Sequence, residues 1–106
     1  MREIDVGEII KAVEELCIKA NKILPDDLCG CISCAEKSET DELPKKIMGT
    51  LLENLDAAKE LNLPICQDTG MAVIFCDVGQ DVHIVGGDFE NAVTEGVSRG
   101  YTKGLL

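Results

Sequence analysis

Between Ile4 and Leu24 the apolar residues Ile9, Val13, Leu16, Cys17, Ala20 and Leu24 recur at intervals that keep them on one side of a helix. Glu8, Lys11, Glu14, Glu15, Lys19 and Lys22 fill the opposite face, so the pattern predicts an amphipathic helix that Pro25 ends. Asp26 and Asp27 are placed to cap a short second helix reaching about Lys37, which Gly30 weakens. A third helix is expected from about Thr40 to Leu61. Asp41 and Glu42 favour its first turn, Pro44 is tolerated there, and Leu43, Ile47, Leu51, Leu55 and Ala58 form its stripe. Pro64 closes it.

The period then changes. Met71 to Val78 is a short apolar run with β-branched and aromatic residues, which predicts a strand buried on both faces or nearly so. Gly79-Gln80 signals a turn, and Asp81 to Val85 resumes a strand with Val82 and Ile84 on one side. Gly86-Gly87 breaks the pattern, and Asp88 is a good N-cap for a last helix with Phe89, Val93, Gly96, Val97 and Tyr101 along one side. Gly96 and Gly100 weaken that helix, so their use there predicts close packing against another element. Helices first, then a β-hairpin of a small sheet and a closing helix, give an α+β class. The expected organisation is one incomplete domain over 1–106, mainly helical over 1–63. The chain closes on the apolar pair Leu105-Leu106, which is read as the edge of a larger body.

Composition narrows the function more than the fold. With 106 residues, 45% hydrophobic and 28% charged, the chain is an ordinary globular sequence of single-domain size. No apolar run approaches the roughly 20 residues of a membrane span, and the N-terminus lacks a signal-peptide pattern, so a cytoplasmic protein away from membranes is expected. A net charge of -10 with arginine only at Arg2 and Arg99 speaks against nucleic acid as a partner. The same charge means that a small dianionic substrate would need cations from elsewhere. Six cysteines (Cys17, Cys29, Cys31, Cys34, Cys66 and Cys76) in a chain without a secretory signal point to thiols or metal ligation rather than a disulfide framework.

The segment Cys66-Gln67-Asp68-Thr69-Gly70 carries the densest chemistry. Cys66 offers a thiolate suited to an iron-sulfur cluster. Gln67 donates and accepts hydrogen bonds, Asp68 can move a proton, Thr69 adds a hydroxyl and Gly70 admits a special backbone conformation. The alternative from spacing alone is a capped turn, with Asp68 and Thr69 satisfying local backbone groups and Cys66 a buried hydrophobe. One cysteine specifies no metal site, and the residues by themselves leave both readings open.

Pro64-Ile65-Cys66-Gln67-Asp68-Thr69-Gly70-Met71, Gly79-Gln80-Asp81-Val82-His83-Ile84, Gly86-Gly87 and Glu95-Gly96-Val97 with Gly100-Tyr101 together resemble the N-terminal part of class I, iron-sulfur-dependent fumarate hydratases. The related L-tartrate dehydratases share the pattern. Glu14-Glu15-Leu16, Ala20-Asn21, Leu52-Glu53-Asn54 and Ala57-Ala58 resemble the family more weakly. The resemblance implies a 4Fe-4S cluster held by three cysteines, of which Cys66 is one, with an open iron acting as a Lewis acid. It further implies Gln67 and Asp68 as substrate contacts, Asp68 as an acid-base group, and Thr69 as a residue that fixes the loop. The implied reaction is the reversible hydration of fumarate to malate, or dehydration of L-tartrate. Implied partners are a small dicarboxylate, the remainder of the α subunit, and a β subunit or C-terminal domain in a dimer or heterotetramer. The family's other two cluster cysteines and a carboxylate-binding arginine fall beyond Leu106, so this chain alone is expected to be inactive.

Cys29, Cys31 and Cys34 make a Cys-x-Cys-x-x-Cys group, and a small metal-binding or thiol-redox module built on it is the reading from another class. A non-catalytic assembly piece is a third. Without an evident fourth ligand the three are read as incidental thiols, Cys17 and Cys76 as core, and His83 as a structural strand residue facing away from Val82 and Ile84.

Overall fold

The computed structural model describes residues 1–106. The chain forms β1 (Arg2–Asp5), α1 (Val6–Lys22), α2 (Asp26–Ser38), α3 (Glu42–Leu61), β2 (Val82–Val85) and α4 (Phe89–Gly104). Helix predominates over a two-stranded sheet, in agreement with the α+β expectation. No helix is long and apolar enough to cross a membrane. Two compact units emerge, one of Met1–Lys19 with Asp68–Leu106 and one of Ala20–Gln67.

In the first unit β1 and β2 pair in parallel, with Ile4 opposite Ile84 and Asp5 opposite Val85. The sequence pattern had assigned residues from Ile4 onward to the first helix; instead the chain is extended through Asp5. Asp5 then ends the strand and starts α1, because its Oδ1 accepts a hydrogen bond from the Gly7 N–H at 2.8 Å. The return of the chain packs tightly at this point. Gly86 has φ +90°, and a methyl group there would lie 2.5 Å from Asp5 Oδ2, so only glycine fits.

The expected hairpin does not form. Its turn is present, since the Val82 N–H donates to the Gly79 carbonyl at 3.1 Å, but β2 takes its ladder from β1. The Arg2 N–H donates to the Asp81 carbonyl at 2.9 Å and sets that register from the first residue. Residues 71–78 therefore run without ladder partners, and the expected buried strand is open to solvent. Met71, Val73 and Phe75 are 87%, 69% and 92% exposed. Cys76, read as core, is exposed for the same reason.

Helix α4 begins as its sequence predicts: Asp88 Oδ2 accepts from the Asn91 N–H at 2.9 Å. Its buried face is Ala92, Gly96, Gly100 and Gly104, and it lies against α1 at Ile10, Val13, Glu14, Cys17 and Ile18. A methyl group at Gly96 would meet Val13 Cβ at 2.7 Å and the Ile10 carbonyl at 2.9 Å; one at Gly100 would meet the Glu14 carbonyl at 2.9 Å. The predicted close packing at Gly96 and Gly100 is thus present, and Gly104 continues it against Ile18. Val13, Cys17 and Ala92 are the buried apolar side chains of this unit.

In the second unit α2 and α3 pack against each other and Ala58 is buried. Asp26 and Asp27 lie inside the first turn of α2 rather than before it, and Pro25 holds the N-cap position. Helix α2 buries no residue. Helix α3 ends with Asn62 in the left-handed conformation, and the Leu63 N–H closes back onto the Ala58 carbonyl at 2.9 Å. This turn releases the chain toward Pro64 and the loop that follows.

Candidate functional site

The loop entered from α3 is fixed by the backbone of Ile65. The Ile65 N–H donates to the Asn21 carbonyl at 2.8 Å, filling one of the carbonyls that the C-terminal turn of α1 leaves unpaired. The Ile65 carbonyl accepts from Asn54 Nδ2, on α3, also at 2.8 Å. Cys66 and Gln67 follow directly and are exposed.

On the far side of the loop Asp68 Oδ1 accepts from the Gly70 N–H at 2.9 Å. That contact closes a tight turn, with Gly70 at φ +64° supplying the left-handed geometry. The Thr69 carbonyl accepts from the Tyr101 hydroxyl at 3.3 Å, so α4 holds this half of the loop. The bond at Thr69 is accepted by its backbone carbonyl, a group that any residue would supply. The two parts of the capped-turn reading separate here. Asp68 does satisfy a local backbone N–H, whereas Cys66 is exposed rather than a buried hydrophobe.

Sequence reasoning left Asn54 and Tyr101 without a role in the loop. The available signals were modest: an asparagine inside a helix, where its amide usually competes with the backbone, and the single tyrosine of the chain on the last helix.

The remaining thiols lie elsewhere. Cys17 is buried on α1, and that burial pushes its thiol pKa up. Cys29 Sγ lies 3.6 Å from the Leu24 carbonyl and is half-buried, while Cys31 and Cys34 are exposed. On α2 the spacing puts Cys31 and Cys34 on one side and Cys29 on another, so the three do not share a face. No three His, Cys, Asp or Glu side chains anywhere in the chain come together to hold a metal ion. His83 is exposed on β2, with Val82 and Ile84 on the other face.

The first unit also contains an open apolar cavity of about 300 Å³. Ile9, Val13, Phe75, Phe89 and Val93 are among its walls, and Asp77 is its one charged lining residue, beside the thiol of Cys76. Such a lining cannot orient a dianion, which needs convergent donors.

The model of the fumarate hydratase (Fumerase) family matches residues 10–106. The putative L(+)-tartrate dehydratase subunit alpha of Methanocaldococcus jannaschii is 33% identical over 76 residues, which are 72% of this chain and 27% of that protein. The L(+)-tartrate dehydratase subunit alpha of Escherichia coli K12 is 27% identical over 101 residues, 95% of this chain and 33% of its own length. The protein of that name in Escherichia coli O157:H7 is 30% identical over 81 residues, covering 76% and 27%. The chain spans about a third or less of these curated relatives. By the extent of the family match, the chain belongs to the fumarate hydratase (Fumerase) family.

Proposed function

We propose that the chain contributes the Cys66 loop to the α subunit of an iron-sulfur hydro-lyase that reversibly hydrates fumarate to malate in the cytoplasm. The observation that carries the reading is an exposed cysteine on a loop fixed at Ile65, within a chain of this family. The donors present fit one ligand position of a 4Fe-4S cluster, at Cys66, and not a complete cluster site. A bound cluster supplies a Lewis-acidic iron that polarises hydroxyl and carboxylate oxygens.

The chain's own residues do the rest of the work assigned to it. Gln67, next to the ligand, orients the substrate through its amide, which both donates and accepts. Asp68 holds or delivers a proton at its carboxylate, and the turn it closes with Gly70 keeps that carboxylate in place. With a net charge of -10, the chain leaves the cations that bind a dicarboxylate to the remainder of the subunit and to a β subunit or C-terminal domain. The complete enzyme is then a dimer or heterotetramer.

Dehydration of L-tartrate is the second reading, favoured by the names of the relatives. The two substrates differ in hydroxylation and share both carboxylates. Anaerobic reconstitution of the complete enzyme with iron and sulfide, followed by assays with malate, fumarate and L-tartrate, tests the proposal. Turnover of malate and fumarate supports the first reading, and turnover of L-tartrate alone supports the second. Absence of turnover with all three refutes both. The 106-residue chain alone is expected to turn over none of them.

A further inference from the structure

Asn54 lies within α3 at an exposed position where nothing in the helix calls for asparagine. Asparagine ranks well below alanine as a helix former, because its amide competes for backbone hydrogen bonds. Here that amide is used outside the helix: Nδ2 donates to the Ile65 carbonyl at 2.8 Å. This carbonyl and the Cys66 nitrogen belong to the same planar peptide group, so holding the oxygen fixes the plane on which the chain enters Cys66. The peptide on the other side of Ile65 is held through its N–H by the Asn21 carbonyl. Both peptide planes flanking the Ile65 Cα are thereby tied to helices, and the Cys66 backbone starts from a set direction.

We propose that Asn54 is a positioning residue for Cys66, setting the Ile65–Cys66 peptide so that the thiolate is presented to iron. The inference rests on the reading of Cys66 as a cluster ligand. Asn54 Nδ2 is the donor at the Ile65 carbonyl, so replacing it takes away this hold on the peptide while leaving α3 itself intact.

The test uses Asn54→Ala and the isosteric Asn54→Asp, which keeps the shape and removes the donor. In the 106-residue chain, hydrogen exchange at the Ile65 and Cys66 amides should rise roughly 2- to 12-fold, the range one such hydrogen bond accounts for. The thermal midpoint of Asn54→Ala should change little, since the better helix propensity of alanine offsets most of the lost hydrogen bond. A purely structural role would instead lower the midpoint. In the complete enzyme, Asn54→Asp should retain less iron per subunit than wild type after anaerobic reconstitution at equal iron and sulfide. Unchanged exchange in both variants overturns the inference. Faster exchange with wild-type iron retention also overturns it and leaves Cys66 as ligand untouched. A wild-type enzyme that takes up no iron removes the cluster reading itself, and the inference with it.

Discussion

Replacing Gly96 with alanine tests how α4 is held against α1, and through α4 how Thr69 is held. In a helix interior with open space, Gly→Ala stabilises by about 1 kcal/mol. Gly30 in α2 offers that case, since nothing lies within 4 Å of a methyl group there. At Gly96 the methyl group would sit 2.7 Å from Val13 Cβ and 2.9 Å from the Ile10 carbonyl. Carbon atoms pack best at roughly 3.5–4.0 Å, so the overlap with Val13 is at least about 0.8 Å. Neither a Cβ nor a backbone carbonyl can turn away by changing rotamer, so α4 must move off α1. Overpacking of this kind costs about 1–3 kcal/mol, which outweighs or cancels the helix-propensity gain. The net expectation is a loss of about 0–2 kcal/mol for Gly96→Ala against a gain of about 1 kcal/mol for Gly30→Ala. Thermal unfolding followed by circular dichroism should separate the two variants by at least about 4 °C. Amide exchange in α1 and α4 should localise the loss to the first unit. A Gly96→Ala variant that gains as much as Gly30→Ala would refute the packing account.

Other expectations follow from single contacts. Tyr101→Phe removes the hydroxyl that holds the Thr69 carbonyl and should cost about 0.5–1.5 kcal/mol, visible as faster amide exchange over residues 68–70 with α4 unchanged. Asp88→Ala removes the side-chain cap of α4 and should cost about 1 kcal/mol in urea unfolding. Cys17 holds its proton to higher pH in the folded chain than its ordinary value of 9.0 allows in the unfolded one. Its contribution to stability is therefore full below about pH 9 and is lost as the pH rises through the folded value. Cys17→Ala should flatten that decline, and in the wild type Cys31 and Cys34 should alkylate well before Cys17.

Local signals in the sequence were strong where the chain makes its own contacts. The 3–4 spacing located α1, α3 and α4, Pro25 with Asp26 and Asp27 marked α2, Asp88 marked the start of α4, and Gly96 and Gly100 announced a close helix contact that the structure places against Val13 and Glu14. Pairing between distant segments was not legible. Arg2–Asp5 is too short for alternation to separate it from the start of a helix, and its partner Val82–Val85 lies far along the chain. The apolar run of residues 71–78 carries the composition of a buried strand, but composition names no partner, and here β1 occupies β2.

The loop followed the same division. Cys66, Gln67 and Asp68 were visible as polar or reactive residues, and Gly70 as a position admitting a special backbone conformation, which in the structure is left-handed. The groups that fix them, Asn54 and Tyr101, act across 11 and 32 residues. Neither distance leaves a local pattern. The three cysteines of α2 show the converse case, because a promising spacing in sequence is split between faces once the segment is helical.

The central claim is that Cys66 is an iron ligand, and Cys66→Ser in the complete enzyme tests it most directly. Wild type and variant are reconstituted anaerobically side by side, and bound iron, sulfide and visible absorption are measured together with hydro-lyase turnover. The account predicts that the serine variant folds with the same far-ultraviolet circular dichroism, loses the cluster absorption and loses turnover. A Cys66→Ser enzyme that keeps wild-type iron, sulfide and turnover would contradict it.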